Sequence, residues 1–133
     1  MNLQVGQQIF SKEIAGSSKE AVAMFSIATE DPNPIHVDEA FANKAGFPQV
    51  IQQGPMTTAF FANLLAQELG ADRLKMLDVS FTAPVFPGEA LTLTSEVTAI
   101  DDVVHLALSA RKADGTQTAK GVATIELQGR SPE

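Results

Sequence analysis

The chain has 133 residues, 44% of them hydrophobic and 19% charged, with 16 acidic against 9 basic side chains and a formal net charge of −7. That length suits one domain and is too short for two, and the composition is that of a packed globular chain rather than a disordered one. Acidity without any Lys/Arg run argues against a nucleic-acid partner, and the lack of cysteine excludes disulfides, thiolate nucleophiles and Cys-bound metals.

The first residues, Met1 to Gly6, lack the charged start and apolar run of a signal peptide, and no apolar stretch approaches the ~20 residues that span a bilayer. These features predict a soluble, cytoplasmic protein with no membrane partner. An anionic ligand would need local basic groups. Arg73, Lys75, Arg111, Lys112 and Lys120 are candidates, although each reads equally well as scattered surface charge.

Taken in chain order, Leu3 to Phe10 predicts a first strand. Ser17-Ser18-Lys19-Glu20 fits a capping box with Ser17 as the cap, and Val22, Phe25 and Ala28 follow at helical spacing, so a helix is expected to about Ala28. Thr29 to Val37 carries Asp31-Pro32-Asn33-Pro34, whose prolines forbid a helix interior and predict an ordered loop. A short helix is expected from Asp38 to Ala45. Gly54-Pro55 starts a helix that runs from Met56 to Leu69 and ends at Gly70. It is apolar on most faces, as a buried helix would be. Strands then follow at Leu77–Phe81, Ala90–Ile100 (with a register slip between Val97 and Ile100), Val103–Arg111 and Thr118–Leu127, punctuated by Asp101-Asp102 and by Ala113-Asp114-Gly115-Thr116. Residues 129–133 read as a frayed tail. The order predicts an α+β fold, one antiparallel sheet covering a single long helix.

Asp31 and His36 form the leading chemical constellation. Histidine titrates near neutrality, and a carboxylate nearby can orient it and take up a proton. Asn33, by an Asx-type turn, and Pro34, by its fixed φ, would hold the loop between them. Spacing alone leaves a purely structural pair as an open alternative. Gln53-Gly54-Pro55 is the second feature. The Gly54 N–H at a helix N-terminus could stabilise a developing oxyanion, or the segment could simply be a Gly-Pro helix start. His105 sits in an alternating strand and reads as a strand-face residue. A metal site from His36, Asp31 and Asp38 would lack further soft ligands, so none is expected.

The stretch Ala28-Thr29-Glu30-Asp31-Pro32-Asn33-Pro34-Ile35-His36-Val37-Asp38 resembles the hydratase motif of the MaoC-like (R)-specific enoyl-CoA hydratases. Val79-Ser80-Phe81-Thr82-Ala83-Pro84-Val85-Phe86-Pro87-Gly88-Glu89 resembles the strand opening that follows the family's central helix, and the likeness runs from about Val5 to Leu127. The resemblance implies a hot-dog fold and a homodimer whose sheets join edge to edge. It also implies an acyl-CoA substrate with no metal or redox cofactor. Asp31 and His36 would be the catalytic pair. Gly54 would be the oxyanion donor, with Gln53 beside it as a substrate-side group. The implied reaction is hydration of a trans-2-enoyl-CoA to an (R)-3-hydroxyacyl-CoA. The sequence departs from the family at two points: Gln53 stands where histidine is common, and Ala62 where short-chain hydratases often have serine, for which Thr57 or Thr58 could compensate. Two other readings stay open, a hot-dog acyl-CoA thioesterase and a non-catalytic acyl-thioester-binding dimer.

Overall fold

A five-stranded antiparallel sheet covers one side of a long helix in the computed structural model, which describes residues 2–127. The tail expected at 129–133 lies outside the described residues. The elements are β1 (Gln8–Ile14), α1 (Lys19–Ala28), α2 (Glu39–Lys44), α3 (Gly54–Leu69), β2 (Leu74–Phe81), β3 (Leu91–Ile100), β4 (Val103–Lys112) and β5 (Gln117–Glu126). The strand order is β1-β3-β4-β5-β2, which leaves β1 and β2 as edges.

Helix α3 forms where Pro55 sets the first turn and stops where Gly70 takes φ 96°, with the Gly70 N–H on Ala66 O. Its Phe61, Leu64, Leu65 and Leu69 pack on inward rows from β3 (Leu91, Leu93, Val97), β4 (Val104, Leu106, Leu108) and β5 (Ala123, Ile125). Each such large side chain contributes roughly 1.5–3 kcal/mol by burial. The helix is not enclosed on all sides, as its apolar composition predicts. Pro55, Ala59, Asn63 and Gln67 form an exposed stripe, because the sheet covers only one side and the apolar residue in the middle of that stripe is a small alanine.

Three boundaries differ from expectation. β1 starts at Gln8 rather than Leu3, because Gly6 turns at φ 90° while its N–H still bonds Val97 O. Helix α1 is capped by Ser18, whose Oγ accepts from Ala21 N at 3.0 Å, and not by Ser17, whose hydroxyl contacts Met56 Sδ. β2 begins three residues early, at Leu74. The register slip falls between Val97 and Ala99, and Ser95 continues the inward row that Leu91 and Leu93 begin.

Gly121 lies opposite Val79 on the β2–β5 ladder, where an added Cβ would sit 2.4 Å from the Asp78 carbonyl oxygen and 3.1 Å from Val79 Cα. Both are backbone atoms, so neither can swing aside. Gly121→Ala is expected to cost about 1–3 kcal/mol by forcing the edge strand outward. Thermal unfolding of the variant checks this.

The basic candidates do not gather. Arg73 is buried and donates to Glu126 O and Leu127 O, so it holds the end of β5 rather than forming a surface patch. Lys75 pairs with Glu126 at 3.7 Å. Lys112 pairs with Glu89 at 2.8 Å and lies over the Phe86 ring, while Arg111 bonds Gly115 O. Leu74 is in register with Ile125 and Leu91 with Lys112, which puts the Arg73/Lys75 and Arg111/Lys112 groups at opposite ends of the strands. Lys120 is exposed on the outer face of the sheet. No helix among the described residues is long and apolar enough to cross a membrane.

Candidate active site

The Asp31 loop is built by the end of α1. Glu30 takes φ 55°, a left-handed conformation, and the chain closes a two-bond helix stop: Glu30 N to Ile27 O at 3.2 Å and Asp31 N to Ser26 O at 2.9 Å. This is the Schellman arrangement, here without the glycine that usually marks it. Asp31 Oδ1 then accepts from Asn33 N at 3.0 Å, and Asn33 Oδ1 accepts from Ile35 N at 3.1 Å. With Pro34 next, these bonds start one 3₁₀ turn, Pro34–His36, where a plain loop is expected from the sequence. Asn33 and Pro34 thus hold the backbone as the motif suggests.

The two carboxylate oxygens of Asp31 divide their work. Oδ1 fixes the turn, and Oδ2 faces His36 Nε2 at 3.5 Å. His36 is buried, and its Nδ1 stands 2.7 Å from Ile51 O. A carbonyl only accepts, so Nδ1 carries the proton and donates. In the neutral ring the lone pair is then on Nε2, facing the carboxylate. At 3.5 Å these atoms can both reach one small polar molecule lying beside them.

His36 lines a cavity of about 370 Å³ together with Gln52, Gln53, Gly54, Thr57 and Phe81. That is within the size range of small-ligand sites. Asp31 lines instead a second hollow of about 480 Å³, with Ala23, Ile27, Pro32 and Val37, although its carboxylate lies 3.5 Å from His36. Gly54 is the first residue of α3, where position leaves its N–H without an intrahelical acceptor, and Pro55 offers none. An added Cβ at Gly54 would fall 2.6 Å from the Phe81 ring.

Gln53 is 1% exposed, and its Nε2 donates to Val22 O and Ser26 Oγ, both at 2.7 Å. Its amide nitrogen is therefore committed to α1 rather than free for a ligand. Thr57 is buried in the cavity wall and accepts from Gln52 Nε2 at 3.4 Å, whereas Thr58 is not part of that wall. His105 lies elsewhere, beside Asp101, with Nε2 at 3.0 Å from both carboxylate oxygens. The Val103 N–H, and after it His105, hold the Asp101 carboxyl below its ordinary value. Among the described residues no three His, Cys, Asp or Glu side chains cluster as metal ligands would. No motif singles out Ser26 or Gln52, and Ser26 meets Gln53 only through a contact distant in sequence.

The family model of the MaoC like domain matches residues 3–120. The (R)-specific enoyl-CoA hydratase of Aeromonas caviae is 37% identical over 101 residues, 74% of this chain and 74% of that protein. The 3-hydroxyacyl-thioester dehydratase Y of Mycobacterium tuberculosis is 38% identical over 79 residues, 56% of this chain but 27% of that longer protein. Among solved structures, the A. caviae (R)-hydratase involved in PHA biosynthesis superposes with a TM-score of 0.83 at 30% identity, over 93% of this chain and 96% of its own. An R-hydratase of Pseudomonas aeruginosa in unliganded form gives 0.84 at 25% identity, over 96% and 84%. The motif around Asp31 and His36, the sheet around α3 and these likenesses agree: the chain belongs to the MaoC-like family and has its hot-dog fold.

Proposed function

We propose that this chain is an (R)-specific hydratase of trans-2-enoyl-CoA, acting as a homodimer in the cytoplasm, with residues 1–133 working as one hot-dog unit. One observation carries the reading: a buried imidazole with its lone pair facing a carboxylate at 3.5 Å, in a cavity shared with the Gly54 N–H. Asp31 Oδ2 and His36 Nε2 hold a water and take one of its protons as its oxygen bonds the β-carbon. The electron pair of the double bond moves toward the thioester oxygen, where Gly54 N–H and the positive end of α3 stabilise it. The α-carbon then takes a proton back from the pair. Proton transfer alone completes the change, so the reading calls for no metal or redox cofactor. Thr57 supplies the polar contact that Ala62 lacks, and the unpaired edge of β2 suits pairing with a second copy.

Incubation with crotonyl-CoA tests this. The expected result is loss of enoyl absorbance without free thiol, and (R)-3-hydroxybutyryl-CoA by chiral analysis. Release of thiol would replace the assignment with a thioesterase, and tight binding without turnover would replace it with a binding module.

A further inference from the structure

Gln53 is a costly choice for its position. Its Oε1 is buried with no hydrogen-bond partner among the described residues, a state that buried polar atoms seldom keep. An apolar side chain of the same volume would avoid that orphan oxygen. What the glutamine adds is its nitrogen, with one hydrogen for Val22 O and one for Ser26 Oγ. Val22 O only accepts, so the nitrogen must be the atom that faces it.

Ser26 holds a second bond that matters: its carbonyl accepts from Asp31 N at 2.9 Å. The segment 51–53 also fixes the other half of the pair, through Ile51 O to His36 Nδ1 at 2.7 Å and Ile51 N to Ile35 O at 3.2 Å. That same segment leads directly into Gly54. We infer that Gln53 and Ser26 are positioning residues: through them the turn that carries Asp31 is locked to the segment that carries His36 and the Gly54 amide. Without the tie, α1 and its terminal turn can drift from α3, and the 3.5 Å separation of Asp31 and His36 relaxes while both side chains remain. Gln53 thus acts through Asp31 and does not touch substrate. This rests on the hydratase reading of the pair.

The test uses the full chain, steady-state kinetics on crotonyl-CoA, and the ¹⁵N resonances of the two histidine rings, with His105 as an internal reference. Gln53→Met keeps the volume and removes both donors. Its kcat is expected to fall by about 10–100-fold with KM within about threefold, as for other groups that orient a reacting side chain. Ser26→Ala breaks one of the two bonds and is expected to lose at least about threefold in kcat. It carries the same test if Gln53→Met does not fold. In both variants the His36 ring signals move and those of His105 stay. Gln53→His is expected to retain most activity, because an imidazole N–H can still donate to Val22 O or Ser26 Oγ. Unmoved His36 signals, or kcat within twofold of wild type, in either folded variant overturns the inference. A wild-type chain with no hydratase turnover would sink the proposed function instead, and the His36 signals would still decide this point.

Discussion

Asp31→Asn and His36→Ala are each expected to lower turnover of crotonyl-CoA on the order of 10²–10⁴-fold while the chain stays folded. The fold survives Asp31→Asn because an amide oxygen can replace Oδ1 as the acceptor for Asn33 N, so the turn is kept. Chemistry does not survive it. The new amide nitrogen would stand where Oδ2 faces His36 Nε2 and would donate into the lone pair that should take the proton of water. His36→Ala removes the base and leaves Ile51 O without its side-chain donor, a loss of about 1 kcal/mol that a domain of this size tolerates. Initial rates, with circular dichroism to confirm folding, decide both. Near wild-type rates in either folded variant would remove the pair from the mechanism.

The second large effect is at Gly54. Alanine there would drive its Cβ to 2.6 Å from the ring of Phe81, so that ring must move. Phe81 is 50% exposed and one edge of its ring is struck, so the ring can swing aside at small cost, about 1 kcal/mol. Turnover suffers more. The methyl and the displaced ring both occupy the cavity beside the N–H that should meet the thioester oxygen. Loss of one oxyanion donor of this kind costs on the order of 10²–10³-fold. Gly54→Ala is therefore expected to melt close to wild type yet lose about 10²-fold in kcat/KM. The double variant Gly54→Ala/Phe81→Ala separates the causes: recovery of rate would show that the ring blocks the site, and continued loss that the methyl alone misplaces the thioester. Unchanged kinetics in the single variant would defeat the oxyanion role.

What could be read from the sequence was local. The Asx turn at Asn33, the Gly54-Pro55 start and Gly70 stop of α3, the hairpin at Gly115 and the slip after Val97 all follow from residues within a few positions of one another. That Asp31 and His36 lie near each other was legible as well, because one short loop carries both; their 3.5 Å separation also depends on ties to Ile51 and Gln53. Less legible was whatever depends on contacts between distant segments. Two adjacent serines offer equal caps, and only the approach of Met56 to Ser17 separates their roles. The turn at Glu30 lacks its usual glycine, so nothing local announced the helix stop that aims Asp31. Arg73 reads as surface charge until the carbonyls of Glu126 and Leu127 take its donors. Gln53 reads as a group facing substrate until helix α1 takes its nitrogen.

The hydrogen bond from His36 to Ile51 gives the cavity a handedness. With one ring nitrogen pinned to the main chain, a single nitrogen is left to trade hydrogens, and it looks toward one wall. Gly54, at the head of α3, lines the same chamber as His36. A flat alkene held between them would present only one of its two faces to the incoming oxygen. Choice of enantiomer would then be a property of the scaffold, imposed before any contact with the rest of the acyl chain.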